Sequence, residues 1–200
     1  MNRLSKSARI LLLASCLWNL GEALLGPMFA VYTEKIGGDL LDFTWAWAAY
    51  SIVTGVLYIV VGKTLRESPY KAQFMIGGYA LNALLTFAYI FVHHPIQLLF
   101  VQIGLGVAEA FSTPTWDSLF ASDMDDTEDT FLWGLANGHT HLIGGLGIAI
   151  GGMVAYYFSF NALFVIMGVI QIAATIVQAR ILRQRKPIVV IGDSVQLKAA

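Results

Sequence analysis

Three carboxylates stand inside stretches of sequence otherwise built from apolar residues: Glu22, Glu109 and Asp117. A charged side chain at the centre of a bilayer costs about 2.5–3.5 kcal/mol on insertion scales, and such groups turn toward a bundle interior or a wet cavity. Glu22 lies near the middle of one apolar run and Glu109 near the middle of another, so the two are expected at similar depth. Asp117 stands further along the Glu109 run, roughly 12 Å away if the run is helical. The chemistry open to such a pair is proton handling: a carboxyl poised between its charged and neutral forms can take a proton from one side and release it to the other. Structural hydrogen bonding between helices is the competing role, and it stays open most of all for Asp117. No Lys or Arg lies in these runs beyond Arg9 at the very start of the first, so a cavity built on the three acids should favour protons and cationic or neutral solutes over anions.

Helical spacing groups further polar residues with the acids. Ser15, Asn19, Glu22 and Gly26 form one continuous stripe, and Gln102, Glu109, Thr113, Trp116 and Asp117 share one broad face. Two polar faces on two spans imply a shared hydrophilic cavity, with Trp116 as a stacking surface for a solute. His139 and His141 point about 200° apart on a helix, which argues against a joint metal site and for ordinary polar packing. His93 and His94 read as a turn at the membrane edge. No metal or other cofactor is expected.

The elements that must position these groups are membrane helices. The chain has 200 residues, 57% hydrophobic and 12% charged. Soluble domains carry about 25% charged residues, so this chain cannot cover a water-facing surface. Six apolar runs, at 8–32, 42–62, 72–93, 95–121, 130–157 and 160–182, are each long enough to span a bilayer. Backbone groups in lipid must be satisfied internally, and no alternating β pattern is present, so the expected fold class is all-α. The expected organisation is a six-helix transmembrane domain over 1–186 and a tail over 187–200. The single cysteine, Cys16, excludes an intrachain disulfide; Leu13–Cys16 resembles a lipoprotein processing box, but the run around it suits an uncleaved first span. Every Lys and Arg except Lys35 falls on one side of a six-span topology, which places both termini in the cytoplasm together with the acidic segment 123–129. Short loops point to a prokaryotic inner membrane.

Several segments resemble one half of a major facilitator superfamily transporter. LWNLGEALLGPMFAVYTEKIGG (17–38) is similar to that family's opening helix, and QIGLGVAEAFSTPTWDSLFASD (102–123) to its fourth. GGLGIAIGG (144–152) resembles the glycine-rich fifth-helix motif, and FNALFVIMGVI (160–170) the start of the sixth. The resemblance covers about 8–186 in the right order. It implies that the first and fourth spans line a transport path, while the second and fifth meet a partner, with Gly144, Gly147 and Gly151 at the subunit interface. It also implies a cytoplasmic gate in the second loop. The family pattern there is Gly-x-x-x-Asp-Arg-x-Gly; here acid and base are exchanged in order, leaving Gly62, Arg66 and Glu67 for a charge-locked gate, and Pro69 replaces the second glycine. Phe100 stands where the family carries an arginine often linked to proton coupling.

The resulting expectation is a secondary active transporter of a small cationic or neutral organic solute, proton-coupled, working by alternating access. Family members commonly have twelve spans in two similar halves, so a six-span chain is expected to act as a parallel homodimer in the bilayer. A subunit of a heteromeric half-transporter and a non-transporting membrane scaffold are the alternatives. Nothing suggests an enzyme: no nucleophile–base pair, phosphate loop or metal cluster is evident. The basic residues flank spans instead of forming a nucleic-acid-binding stripe.

Overall fold

The computed structural model describes residues 5–123 and 129–184. Most of the acidic segment 123–129, the tail 187–200 and the basic residues Arg3, Arg185, Lys186 and Lys198 lie outside the described residues.

The described chain is helical throughout: α1 (Lys6–Leu25), α2 (Met28–Lys35), α3 (Leu40–Thr64), α4 (Lys71–Ala88) continued by a 3₁₀ turn (Tyr89–Phe91), α5 (Pro95–Ala121), α6 (Asp129–Tyr157), α7 (Phe160–Ala179) and α8 (Ile181–Gln184). Six of these segments are long and apolar enough to cross a membrane. Their ends carry ordinary stop and start chemistry. Ser5 Oγ accepts from Ala8 N–H at 2.8 Å to open α1, Asp39 and Asp42 form a capping box at α3, and Ser159 Oγ accepts from Ala162 N–H at 3.1 Å to open α7.

The expected first span, 8–32, is divided into α1 and α2. A continuous helix would need an N–H at position 27 to reach the Ala23 carbonyl, and Pro27 has none. Gly26 turns the chain with φ +26°, a conformation that L side chains rarely adopt. The other five expected spans each coincide with one transmembrane segment, within a few residues at the ends.

Packing sorts the spans into two trios. α1 packs on α6 and α7, α5 packs on α3 and α4, and α4 against α7 joins the trios, while α1 and α5 barely touch. Two apolar cores hold the bundle together. One gathers Phe29, Tyr32, Tyr89, Leu98 and Phe164; the other gathers Leu11, Met75, Phe120, Leu132 and Ile181. Between them lies a polar layer, with Asn82, Gln102 and Gln171 buried within it. The gap between α1 and α5 opens at this level.

Candidate functional site

The gap holds a cavity in two chambers. The smaller, of about 210 Å³, is lined by Ser15, Asn19, Tyr79, Glu109, Thr113, Trp116, Asp117 and His139, among others. The larger, of about 400 Å³, reaches Asn19, Glu22, Gly26, Trp47, Tyr50, Tyr89, Gln102 and Glu109. Trp18, Asn19, Glu109 and Thr140 border both, so these residues form the neck between them.

Each central carboxylate is held by one oxygen. Glu22 Oε1 accepts from Asn82 Nδ2 of α4 at 2.7 Å and from Gln171 Nε2 of α7 at 2.8 Å. Gln171 also reaches the Trp18 carbonyl at 3.3 Å, and its buried Oε1 has no hydrogen-bond partner. Glu109 Oε1 accepts from Tyr58 Oη of α3 at 2.9 Å and from Thr113 Oγ1, one turn on, at 2.7 Å. Both carboxylates are therefore fixed in direction by neutral donors, three of the four on neighbouring elements and Thr113 on α5 itself, and among the described residues no hydrogen bond engages Oε2 of either. Charge-assisted bonds of this kind are worth about 1.5–3 kcal/mol each.

The remaining residues expected on the two polar faces fall as follows. Asn19 Nδ2 donates to Thr140 Oγ1 at 3.2 Å, tying α1 to α6 at the neck. Gln102 is buried and donates to Tyr89 Oη at 2.9 Å, so its amide supports the wall. Trp116 lines the smaller chamber, but its ring stacks on Phe120 with centroids 4.7 Å apart and its Nε1–H donates to the Leu11 carbonyl at 3.2 Å. Much of its face is thus committed to packing. Asp117 is exposed to the smaller chamber. Pro114 sits inside α5 between the two acids and withholds a donor from the Ala110 carbonyl.

Helical stripes on the first and fourth spans did not reveal Tyr58, Asn82 and Gln171, which anchor the acids from the second, third and sixth. The available signal was polar side chains inside apolar runs, with Asn82 and Thr86, and Gln171, Thr175 and Gln178, at helical spacing. His139 was passed over as packing and lines the smaller chamber, where its Nε2 lies 3.1 Å from Ser15 Oγ. His141 is exposed on another face. Among the described residues, no cluster of three His, Cys, Asp or Glu side chains is placed to hold a metal.

Two expectations drawn from the family need adjusting to this geometry. Gly147 and Gly151 are taken up within the chain: a side chain at Gly147 would lie 2.7 Å from Ala23 Cβ and 3.1 Å from the Leu20 carbonyl, and one at Gly151 would meet the Leu24 backbone. They bring α6 close to α1 and are closed to a partner subunit. Gly144 lines the larger chamber instead. In the second loop, Arg66 and Glu67 are both exposed, and no ion pair joins them. Gly62 and Arg66 border a separate pocket of about 170 Å³ with Pro114 and Ser118, where Lys71 Nζ donates to Ser118 Oγ at 3.0 Å.

A polar cavity between the first and fourth spans of a six-helix bundle is the arrangement that the sequence resemblance implied. The Major Facilitator Superfamily matches over residues 11–194, nearly the whole chain. This chain belongs to that superfamily. It is similar to an uncharacterised MFS-type transporter of Methanocaldococcus jannaschii, 27% identical over 177 residues that cover 88% of this chain and 46% of that protein. The chain thus spans about half the length of this relative. Membership makes it an integral membrane protein of a transporter family, not an enzyme.

Proposed function

We propose that this superfamily member is one six-span half of a secondary active transporter. It moves a small cationic or neutral organic solute, coupled to protons, by alternating access in a parallel homodimer. The observation that carries the reading is that Glu22 and Glu109, from the two spans that barely touch, line one chamber while each is held by a single oxygen. The other oxygen of each is left for a solute or a proton.

The homodimer rests on a second observation. α3 and α6 are the least buried spans, at 11% each against 39% or more for the others, and residues from both line the cavity. They present Trp45, Ile52, Val56, Leu142 and Leu146 outward. A second bundle set against these spans would close the cavity from its open side. The gate residues Arg66 and Glu67, beside Gly62, would then find charged partners across the interface. We assign both termini to the cytoplasmic side, a reading that the distribution of Lys and Arg supports, and the membrane to a prokaryotic inner membrane on the short loops.

The test is reconstitution in vesicles, measuring oligomeric state and solute flux under an imposed pH gradient for the wild type and for Glu109→Gln. A dimer whose pH-driven flux disappears in the variant supports the reading. A dimer with unchanged flux makes Glu109 structural. A stable monomer without flux shifts the weight to a heteromeric subunit or a scaffold.

A further inference from the structure

The two chambers differ in their titratable groups. The smaller holds His139 beside its acids. The larger is bordered by Glu22 and Glu109 with no Lys, Arg or His among its lining residues. Its walls are aromatic: Trp18, Trp47, Tyr50 and Tyr89 all border it. Trp47 is 51% exposed, and its indole is steadied by Phe43, stacked with centroids 6.4 Å apart, and by Tyr50 at 6.0 Å.

Such a chamber selects by charge. A carboxylate facing an apolar space is stabilised by a cation, and an aromatic face attracts a cation through its ring quadrupole. A neutral solute offers neither interaction and leaves two carboxylates to be neutralised by protons alone. An anion meets repulsion from both acids. The chamber volume of about 400 Å³ falls within the range of roughly 300–1,000 Å³ typical of small-molecule sites.

We propose that the larger chamber binds an organic cation, a protonated amine or quaternary ammonium with an apolar body. Its charged centre sits between Glu22 and Glu109, and its body lies against Trp47 and Tyr50. Glu109, shared by both chambers, is where the solute's charge and a proton in the smaller chamber compete. The inference rests on the reading of the cavity as a solute path and narrows that path to one charge class.

The full chain in lipid nanodiscs is titrated calorimetrically with benzyltrimethylammonium. A second pair of ligands, choline and 3,3-dimethylbutan-1-ol, has the same shape with nitrogen exchanged for carbon. Benzyltrimethylammonium is expected to bind saturably, and choline at least tenfold more tightly than the alcohol. Glu22→Gln should weaken the binding of benzyltrimethylammonium at least tenfold. Trp47→Leu should weaken it severalfold, with Trp47→Phe recovering most of the loss; because Trp47 is half exposed, these variants probe the wall without challenging the fold. Equal binding of choline and the alcohol would overturn the proposal, as would unchanged affinity in a folded Glu22→Gln protein or in Trp47→Leu. Cation binding without flux in a pH gradient would leave this inference standing and sink the transport reading. Flux of another solute with no cation binding would do the reverse.

Discussion

Alanine at Gly78 and alanine at Gly77 should have opposite effects, although the two are neighbours in α4. A Cβ at Gly78 would lie 2.6 Å from the Ala108 carbonyl oxygen, 2.8 Å from Ser112 N and 3.0 Å from Ser112 Cβ. Ordinary contact begins at 3.4 Å, so α4 and α5 would have to part by about 0.8 Å. Two of these three atoms are backbone and cannot rotate away. Overpacking of this kind costs about 1–3 kcal/mol. Gly77 has nothing within 4 Å of its would-be Cβ, and relieving a helical glycine there gains about 0.8–1 kcal/mol. That helical gain applies at both positions and cancels, so the two variants should differ by the overpacking cost alone, about 1–3 kcal/mol, or roughly 2–12 °C in unfolding temperature for a chain of this size. Thermal unfolding in detergent reads the difference directly. Transport should follow the same order, because Ala108 and Ser112 bracket Glu109 on α5. Gly77→Ala and Gly78→Ala unfolding at the same temperature would refute the claim that α4 and α5 meet backbone to backbone at this point.

Other variants probe separate parts of the molecule. Gln171→Leu removes one of the two donors to Glu22 Oε1, and should cost about 1–3 kcal/mol in thermal unfolding. Gly26→Ala forces an L side chain into a positive φ and places its Cβ 2.9 Å from the Ala23 carbonyl oxygen. A loss of about 1–3 kcal/mol is expected, and an unaltered unfolding temperature would count against the break between α1 and α2. Glu109→Gln keeps an oxygen for Tyr58 and Thr113, so it should fold normally while pH-driven flux falls at least tenfold in vesicles. Cysteine at Leu142, 73% exposed on α6, in a Cys16→Ser background, should crosslink two copies in native membranes. Recovery of monomer alone would sink the homodimer.

Much of the architecture was legible because bilayer crossing demands long apolar helices, and the breaks between them are polar or turn-forming. The polar stripes on the first and fourth spans were equally readable, since a 3.6-residue period fixes which side chains share a face. The anchoring of the acids was not. Asn82 and Gln171 are 2% and 0% exposed; each shares a helical face with other polar residues, Asn82 with Thr86 and Gln171 with Thr175 and Gln178, but their spans carry no acid to single those faces out. The Gly26-Pro27 pair carried the signal for a broken first span, but run length alone did not distinguish one helix from two. Gly147 and Gly151 show a different limit. A GxxxG spacing announces close approach, but it does not say whether the neighbour belongs to the same chain.

The sorting of spans into trios sets an order of assembly during synthesis. α3, α4 and α5 are consecutive, so this trio can pack as soon as α5 leaves the ribosome. α1 emerges before this trio but must wait for α6 and α7 to complete its packed face. Until then Asn19 lacks Thr140, and Glu22 has Asn82 but not Gln171, which lies 149 positions further along the chain. The helix bearing one of the two central acids therefore stays an incomplete, polar-faced segment in lipid until α6 and α7 are made, and it is secured by a span synthesised long after it.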